Sequence, residues 1–431
     1  MKTVAILSDF YVAQEAYSLN IIIEEQLGML HRAGYAPIAI AEDIFKPVRN
    51  WKLAEMRTIP SGIKRGNSIT FHEGWKEDVA KIRTSLDVVL EGIDVVITHD
   101  LISQPTTLWI NMAARDYARA HSNVTWLNWV HSATTSPVWR QRDKRLASVQ
   151  MHFPYSKTVF PNDYAVPVVA KHFRCSMDDV AVVPHPTDVC SYLGFQEVTK
   201  RLVQEKDLLS ADAILVYPVR LDDGKQVEHV IHTAAAIKRL GRSVRVVCCD
   251  FHSTLGRKVV YREELKVLAI DQGLNSAEMT FTSEFDKSLE LQCPRAMVRD
   301  LMLLCNVFVM PSRSETYSLV AQEAGLCGAI LILNKDFPPM RSIYGPHAMY
   351  CKFSSNWDVM QDYMDVDYQG RGTATNTKYD NPDEWFRGLA MRIIYQLENV
   401  DVLAQQKRIR KERNPDYVFR QFIEPLFACF D

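Results

Sequence analysis

Residues 307–333 read VFVMPSRSETYSLVAQEAGLCGAILIL, and their order of apolar and turn-forming stretches decides the fold. Val307 to Met310 is a short apolar run, and it reads as a strand. Pro311 to Thr316 has the composition of a turn, and a helix starts near Ser318. After Gly328 a second apolar run, Ala329 to Leu333, reads as another strand. Strands that alternate with helices in this way lie parallel in one sheet, with helices covering both faces.

The same alternation extends outward from this segment in both directions. Toward the N-terminus it includes Ala213 to Tyr217, Val244 to Cys248 and Met279 to Thr282. Further upstream are Val4 to Leu7, a helix from about Ser18 to Ala33 closed by Gly34 and followed by another strand, then Val95 to Thr98, Val124 to Val130 and Val180 to Val183. The pattern breaks at VVPHPTD, residues 182–188, where prolines can continue neither strand nor helix. A linker between about residues 184 and 205 therefore separates two α/β domains. The expected division is 1–195, 196–412 and a terminal segment, 413–431. In that last segment the aromatic stretch Pro415 to Phe430 reads as a docked helix.

Composition sets the outer limits. The chain has 431 residues, 47% of them hydrophobic, enough for two cores and unlike a disordered or collagen-like sequence. It carries 50 Lys plus Arg against 52 Asp plus Glu; up to Phe195 the numbers are 20 and 20, so neither half is a basic nucleic-acid footprint. No run of about 18 apolar residues exists, and the N-terminus lacks a signal-peptide pattern. A cytoplasmic chain with no membrane anchor is expected. The nine cysteines show no CxxC or metal-ligand spacing and read as buried thiols of a reducing compartment.

Two groups of residues carry the chemistry. Glu315 lies in the loop after a strand and Glu323 in the following helix, so both can face one ligand. The amides of Thr316, Tyr317, Ser318 and Leu319 lie at the start of that helix, where an anion such as a diphosphate is favoured. Carboxylates beside phosphates repel unless they point at sugar hydroxyls. Taken alone, the two glutamates are equally readable as a helix N-terminal charge and a solvated face. The second group is Arg220 and Lys225, two cations flanking a turn after the strand Ile214 to Val219. Held there, they neutralise a leaving diphosphate without a metal.

With these residues in view, the sequence resembles the retaining GT-B glycosyltransferases of family 4, the glycosyl transferases group 1. The resemblance rests on Arg220 and Lys225, the E-x7-E pair Glu315 and Glu323, the sequence EAGLCG (323–328) and the VVPHPTD turn. It covers the C-terminal half well and the N-terminal half in outline. It implies two Rossmann-like domains, with Arg220 and Lys225 on the donor diphosphate, Glu315 by the donor sugar and Glu323 on the ribose. TFTSEF, residues 280–285, looks like the family's segment beside the nucleobase, which places Ser283, Glu284 and Phe285 there; relatives usually carry glycine at Ser283. His131 matches the family's strand-end histidine near the donor sugar. Its alternative reading is a histidine satisfied at a strand end, the reading preferred for His99.

The first loop, SDFYVAQEAYS (8–18), has none of the glycines common in that family, and NKDFPPMRS (334–342) replaces a usual glycine pair. Asp336 to Pro339 reads as a turn. Asp365-Val366-Asp367 matches a metal-binding D-x-D formally, but it lies in the polar stretch 365–383, a long loop, and two cations already supply the charge; no metal is expected. Lys407, Arg408, Arg410, Lys411 and Arg413 read as a solvated helix face. The stretch around Arg140, Arg142, Lys144 and Arg145, and FKPVRNWK (45–52), could meet a glycan or nucleic acid through Trp51 and its cations. A looser resemblance to bacteriophage-encoded glycosyltransferases comes from WLNWVHSATTSPVW (126–139) and NKDFPPMRSIYG (334–345).

The expectation is a metal-independent transferase with no cofactor beyond its nucleotide-sugar donor. The acceptor is a glycan or, as the second candidate, a hydroxymethylated DNA base. A nucleotide-sugar epimerase and a non-catalytic binding protein are the alternatives.

Overall fold

The computed structural model describes residues 2–8, 17–60, 71–103, 107–131, 151–251, 258–312, 314–315, 317–335, 338–353, 372–373 and 381–428. The chain forms two compact units, Met1–Asp188 with Glu412–Asp431, and Val189–Lys411.

The first unit is built on β1 (Val4–Leu7), β2 (Ile38–Glu42), β3 (Glu55–Ile59), β4 (Val95–His99), β5 (Thr125–Trp129), β6 (Ser156–Phe160) and β7 (Val180–Val182). They pair in parallel in the order β3-β2-β1-β4-β5-β6-β7, the Rossmann order extended by one strand. Successive residues serve opposite faces. Ala5 and Leu7 join the core under α2 (Trp75–Val89), α3 (Leu108–Ala120) and α4 (Val166–Phe173), while Val4 and Ile6 pack with α1 (Ser18–Arg32). Gly34, at φ +87°, turns the chain out of α1 in a conformation that costs other residues energy.

The C-terminal segment completes the α1 face. Val418, Phe419, Ile423 and Phe427 are buried there, with the Phe419 and Phe427 rings edge-on to Tyr35 at 5.8 and 5.6 Å. Asp416 pairs with Arg32 at 2.8 Å, and Tyr35 donates to Glu424 at 3.1 Å. The segment is a helical turn at Pro415–Val418 that continues in π and 3-10 geometry rather than as one regular helix.

The second unit repeats the plan. Its strands β8 (Ala213–Arg220), β9 (Val244–Phe251), β10 (Met279–Phe281), β11 (Val307–Met310), β13 (Ile330–Asn334) and β14 (Met349–Cys351) order as β10-β9-β8-β11-β13-β14, all parallel. A two-residue strand β12 (Ser314–Glu315) pairs antiparallel with β15 (Gly372–Thr373). The helices are α5 (Glu197–Glu205), α6 (Val227–Arg239), α7 (Lys258–Asp271), α8 (Arg295–Leu304), α9 (Leu319–Leu326), α10 (Pro382–Asn399) and α11 (Asp401–Glu412). Asp300, fully buried on α8, accepts from the Gln196 amide at 2.7 Å and Thr199 Oγ1 at 2.9 Å, which fixes α5.

Three expectations are corrected. The stretch 184–205, expected as a linker, contains the boundary between the units at Asp188 but also the helical turn Val189–Tyr192 and the amphipathic α5, which belong to the second unit. The basic stretch on α11 is only in part a solvated face: Arg408 is exposed, but Arg410 and Lys411 are engaged with the fold. Arg410 is 6% exposed and donates to the carbonyls of Ala211 (2.7 Å) and Leu304 (3.5 Å), and Lys411 pairs with Asp212 at 2.8 Å. Burial brings the Arg410 guanidinium down to about 10. Trp51 offers no ligand surface, because it is fully buried with its ring 4.6 Å from that of Phe45. The eight described cysteines are free thiols; six are buried, and Cys175 and Cys327 partly so. Cys429, Arg140, Arg142, Lys144, Arg145 and Asp365 to Asp367 lie outside the described residues. Among the described residues, no helix is long and apolar enough to cross a membrane.

Phe419→Ala empties a core position of the first unit and is expected to cost about 4 kcal/mol, measured by urea denaturation. A loss below about 1 kcal/mol would show that the terminal segment contributes little to this core.

Candidate functional site

In the second unit the strand order reverses between β8 and β11, and the crevice beyond the carboxyl ends of these strands is where doubly wound sheets bind ligands. The turn after β8 closes through the Lys225 amide donating to the Asp222 carbonyl at 2.8 Å. Tyr217, buried in β8, donates its hydroxyl to the Lys225 carbonyl at 3.2 Å and receives Ser312 Oγ, just beyond β11, at 3.1 Å. Burial pushes the Tyr217 phenol well above its ordinary range, so it stays protonated and works as a strut between the two turns.

Lys225 Nζ then meets Glu315 Oε2 at 3.1 Å, each side chain about one-fifth exposed (20% and 23%). Arg220 ends β8 half-exposed, its Nε 3.7 Å from Asp222. The cations and the first glutamate of the sequence pattern thus converge on one strand-end crevice.

Glu323 does not share that pair. It sits on α9 and contacts Arg295 of α8 at 3.4 Å, with Arg295 93% exposed, so the pair is weak and separable. Before α9, Ser318 takes the left-handed conformation (φ +64°), and its Oγ caps the Ala321 amide at 3.3 Å. Tyr344 donates to the Ser318 carbonyl at 2.9 Å. Tyr317 and Leu319, on either side, are exposed. Thr316 lies outside the described residues.

The segment after β10 is internally paired. Ser283 is buried, and both its amide (3.0 Å) and its hydroxyl (2.5 Å) donate to Asp250, whose charge is met by Lys258 at 3.1 Å. Glu284 turns to Arg262 (3.3 Å) and Lys266 (3.0 Å), and with Phe285 it lines a cavity of about 250 Å³ shared with Leu274 and Met279. Glu284 and Phe285 lie in the helical turn Thr282–Phe285 that follows β10. Asp336, which was expected in a turn, lies outside the described residues with Phe337.

The first unit carries a second concentration of polar groups at strand carboxyl ends. His99 ends β4, His131 follows β5 and His185 follows β7. Their rings stack in sequence, His99 to His131 at 5.1 Å and His131 to His185 at 5.1 Å, with interplanar angles of 13° and 22°. Gln26 of α1 accepts from His99 Nε2 at 2.9 Å, and His99 Nδ1 lies 2.8 Å from His131 Nε2. The His131 amide donates to Asp100, itself at φ +54°, at 2.8 Å. The sequence marks His99 and His131 by their places at the ends of apolar strands. His99 is nevertheless no isolated strand-end residue, and nothing in the spacing of α1 announces Gln26.

Burial lowers all three imidazoles: His99 well below its usual value, His131 to about 4 despite the opposing charge of Asp100, and His185 in the same direction. The opposite edge of this sheet carries a cluster of possible metal ligands, His152, Cys175 and Asp179. There the Asp179 carboxylate is held by the Ser176 amide and hydroxyl at 3.1 and 2.9 Å, and Lys157 stands 3.9 Å away.

Comparison with known proteins follows this geometry. Residues 199–366 match the family model of the glycosyl transferases group 1. The matched span holds Arg220, Lys225, Glu315 and Glu323. Among solved structures, a glycosyltransferase from Rickettsia africae ESF-5 is 14% identical over 99% of this chain and 96% of its own, at a TM-score of 0.32. Anabaena Alr3699/HepE in complex with UDP and glucose is 14% identical over 99% and 100%, at 0.35. The E. coli trehalose-6-phosphate protein bound with UDP-2-fluoro glucose is 12% identical over 99% of each chain, at 0.36. No curated protein matches the chain.

The lowered imidazoles fix the sign of one pH effect. The folded state keeps His131 neutral down to about pH 4, whereas the unfolded chain takes up that proton near its ordinary value of 6.5. Stability conferred by the neutral stack is therefore complete above about pH 7 and falls as pH drops through this window. The urea midpoint is expected to fall between about pH 7 and pH 5, and to fall less in His131→Gln. Equal falls in both proteins would contradict the account.

Proposed function

We propose that this chain transfers a sugar from a nucleotide-diphosphate sugar to an acceptor hydroxyl with retention of configuration, using protein cations rather than a metal on the leaving group. The observation that carries this reading is the Lys225–Glu315 pair, held at the β8/β11 crevice inside the segment that matches the glycosyl transferases group 1.

The chemistry follows from charge. A diphosphate carries more charge than one carboxylate, so it outcompetes Glu315 for Lys225 while Arg220, already half-exposed, closes on its other oxygens. Glu315, released, accepts hydrogen bonds from sugar hydroxyls. Glu323, whose ion pair among the described residues is with an exposed arginine, is similarly open to the ribose hydroxyls. For His131 the assignment to the donor sugar rests on the family resemblance alone. The bond from the anomeric carbon to the diphosphate oxygen breaks with its electron pair going to the diphosphate. The acceptor oxygen bonds to the same face, and its proton passes to the departing phosphate oxygen, the nearest base on that face. Arg220 and Lys225 stabilise the negative charge that develops.

The acceptor class is a glycan hydroxyl. The near-balanced charge of the chain speaks against tight nonspecific DNA binding, which makes a hydroxymethylated base the second candidate. Asp250, Ser283 and Lys258 form a closed buried network beside this crevice and serve as its frame.

Removing a positioned charge of this kind costs about 3 kcal/mol of transition-state stabilisation, so Lys225→Ala is expected to lower turnover roughly a hundredfold. The measurement is release of nucleoside diphosphate across a panel of nucleotide sugars, with circular dichroism to confirm an unchanged fold. An unchanged rate would remove Lys225 from the mechanism. Epimerised nucleotide sugar formed without any acceptor would replace the transferase reading with an epimerase.

A further inference from the structure

The chain of hydrogen bonds in the first unit has a direction, and the direction has a consequence for its last member. Gln26 is 3% exposed, and its Oε1, which can only accept, lies 2.9 Å from His99 Nε2. The proton of His99 is therefore on Nε2, leaving Nδ1 as an acceptor. At 2.8 Å from that acceptor, His131 Nε2 must donate. A neutral His131 that donates from Nε2 has no proton on Nδ1, and that Nδ1 is buried with no hydrogen-bond partner among the described residues. The alternative tautomer of His99 would set two acceptors against each other at Gln26. A doubly protonated His99 would place a cation in a buried site against the rings of His131 and Trp129.

We infer that Gln26 and His99 are positioning residues that lock His131 in the Nε2–H tautomer, so that its Nδ1 stands ready to accept a hydrogen bond from a substrate hydroxyl. A buried acceptor left without a donor destabilises the fold, and among the described residues none donates to this one. A hydroxyl of a bound sugar recovers that cost, whereas a carboxylate or phosphate oxygen cannot. The backbone of His131 is fixed by Asp100 and its ring is flanked by His99 and His185, so the direction of Nδ1 is set before ligand arrives. The requirement for a hydroxyl rests on the transferase reading above. The tautomer does not, and the two are tested separately.

Selective nitrogen-15 labelling of the histidines reads the tautomer directly, with His131→Gln assigning the signals by their loss. In the wild-type chain at neutral pH, His131 is expected to show a protonated Nε2 and an unprotonated Nδ1; a protonated Nδ1 would overturn the inference. Gln26→Leu removes the acceptor that orients His99 and is expected to move both His131 nitrogens toward the average of the two tautomers. An unchanged pattern would remove Gln26 from the relay. His99→Asn, which keeps an acceptor where Nδ1 stood, is expected to preserve the wild-type His131 pattern, and His99→Leu to lose it; identical patterns in these two variants would remove His99. With a nucleotide sugar that the wild-type chain turns over, Gln26→Leu is expected to lower kcat/KM about tenfold and leave binding of the free nucleoside diphosphate unchanged. Altered tautomer with unaltered kinetics would overturn the hydroxyl contact. Inactivity of the wild-type chain toward every nucleotide sugar would count against the transferase reading and leave the tautomer measurement to stand or fall by itself.

Discussion

Parallel pairing is the constraint from which the rest follows. A parallel strand reaches its neighbour only through a crossover on the far face, so every carboxyl end in a sheet emerges at the same edge. In the first unit that edge gathers His99, His131 and His185; in the second it gathers Arg220, Asp250, Ser312 and, one turn further, Glu315. Apart from Ser312 and Glu315, which share one loop, these groups lie far apart in sequence. The sheet brings them together, and the apolar runs that make the sheet pay for holding polar groups at its rim.

Within that frame, the polar groups divide by how completely they are satisfied. Asp250 is fully buried with Lys258, Ser283 and Thr282 around it, a closed network whose disruption would leave a charge without a partner. Lys225 and Glu315 are paired yet one-fifth exposed, so the contact is of modest strength and a more highly charged ligand can replace it. Glu323 is held more loosely still. The gradient from closed to open runs from the frame of the site to the residues assigned to the ligand. His131 belongs at the open end for a different reason, since its Nδ1, unpaired among the described residues, is neutral and buried.

Much of this architecture is legible in the residues. Val4–Leu7 and Val307–Met310 are strands with the bounds their apolar runs suggest, and the break at VVPHPTD adjoins the division at Asp188. The strand Ser156–Phe160 escapes such a reading because two of its buried positions are Ser156 and Thr158, whose burial depends on the neighbouring strands β5 and β7. Glu55–Ile59, at the sheet edge, is half polar, and Met349–Cys351 is too short to register. At the site, Arg220, Lys225 and Glu315 are recognisable from their spacing around turns. The roles of Tyr217, Gln26 and His99 are not, because each acts through a contact made across the fold. Arg410 and Trp51 show the opposite failure: a charge run and an aromatic-basic stretch that look like surface in sequence become core once tertiary partners, the carbonyls of Ala211 and Leu304 and the ring of Phe45, are in place.

The central claim is that the β8/β11 crevice holds a nucleoside diphosphate with Glu323 on its ribose. Thermal unfolding of the full chain with each common nucleoside diphosphate in turn, beside Glu323→Ala, tests it most directly. A ligand at about a hundred times its Kd adds about 2.7 kcal/mol to the stability of the unit that binds it, a readily measured rise in Tm. The account predicts such a rise with at least one nucleoside diphosphate in the wild-type chain and its loss in Glu323→Ala. No rise with any of them, or an equal rise in the variant, would contradict it.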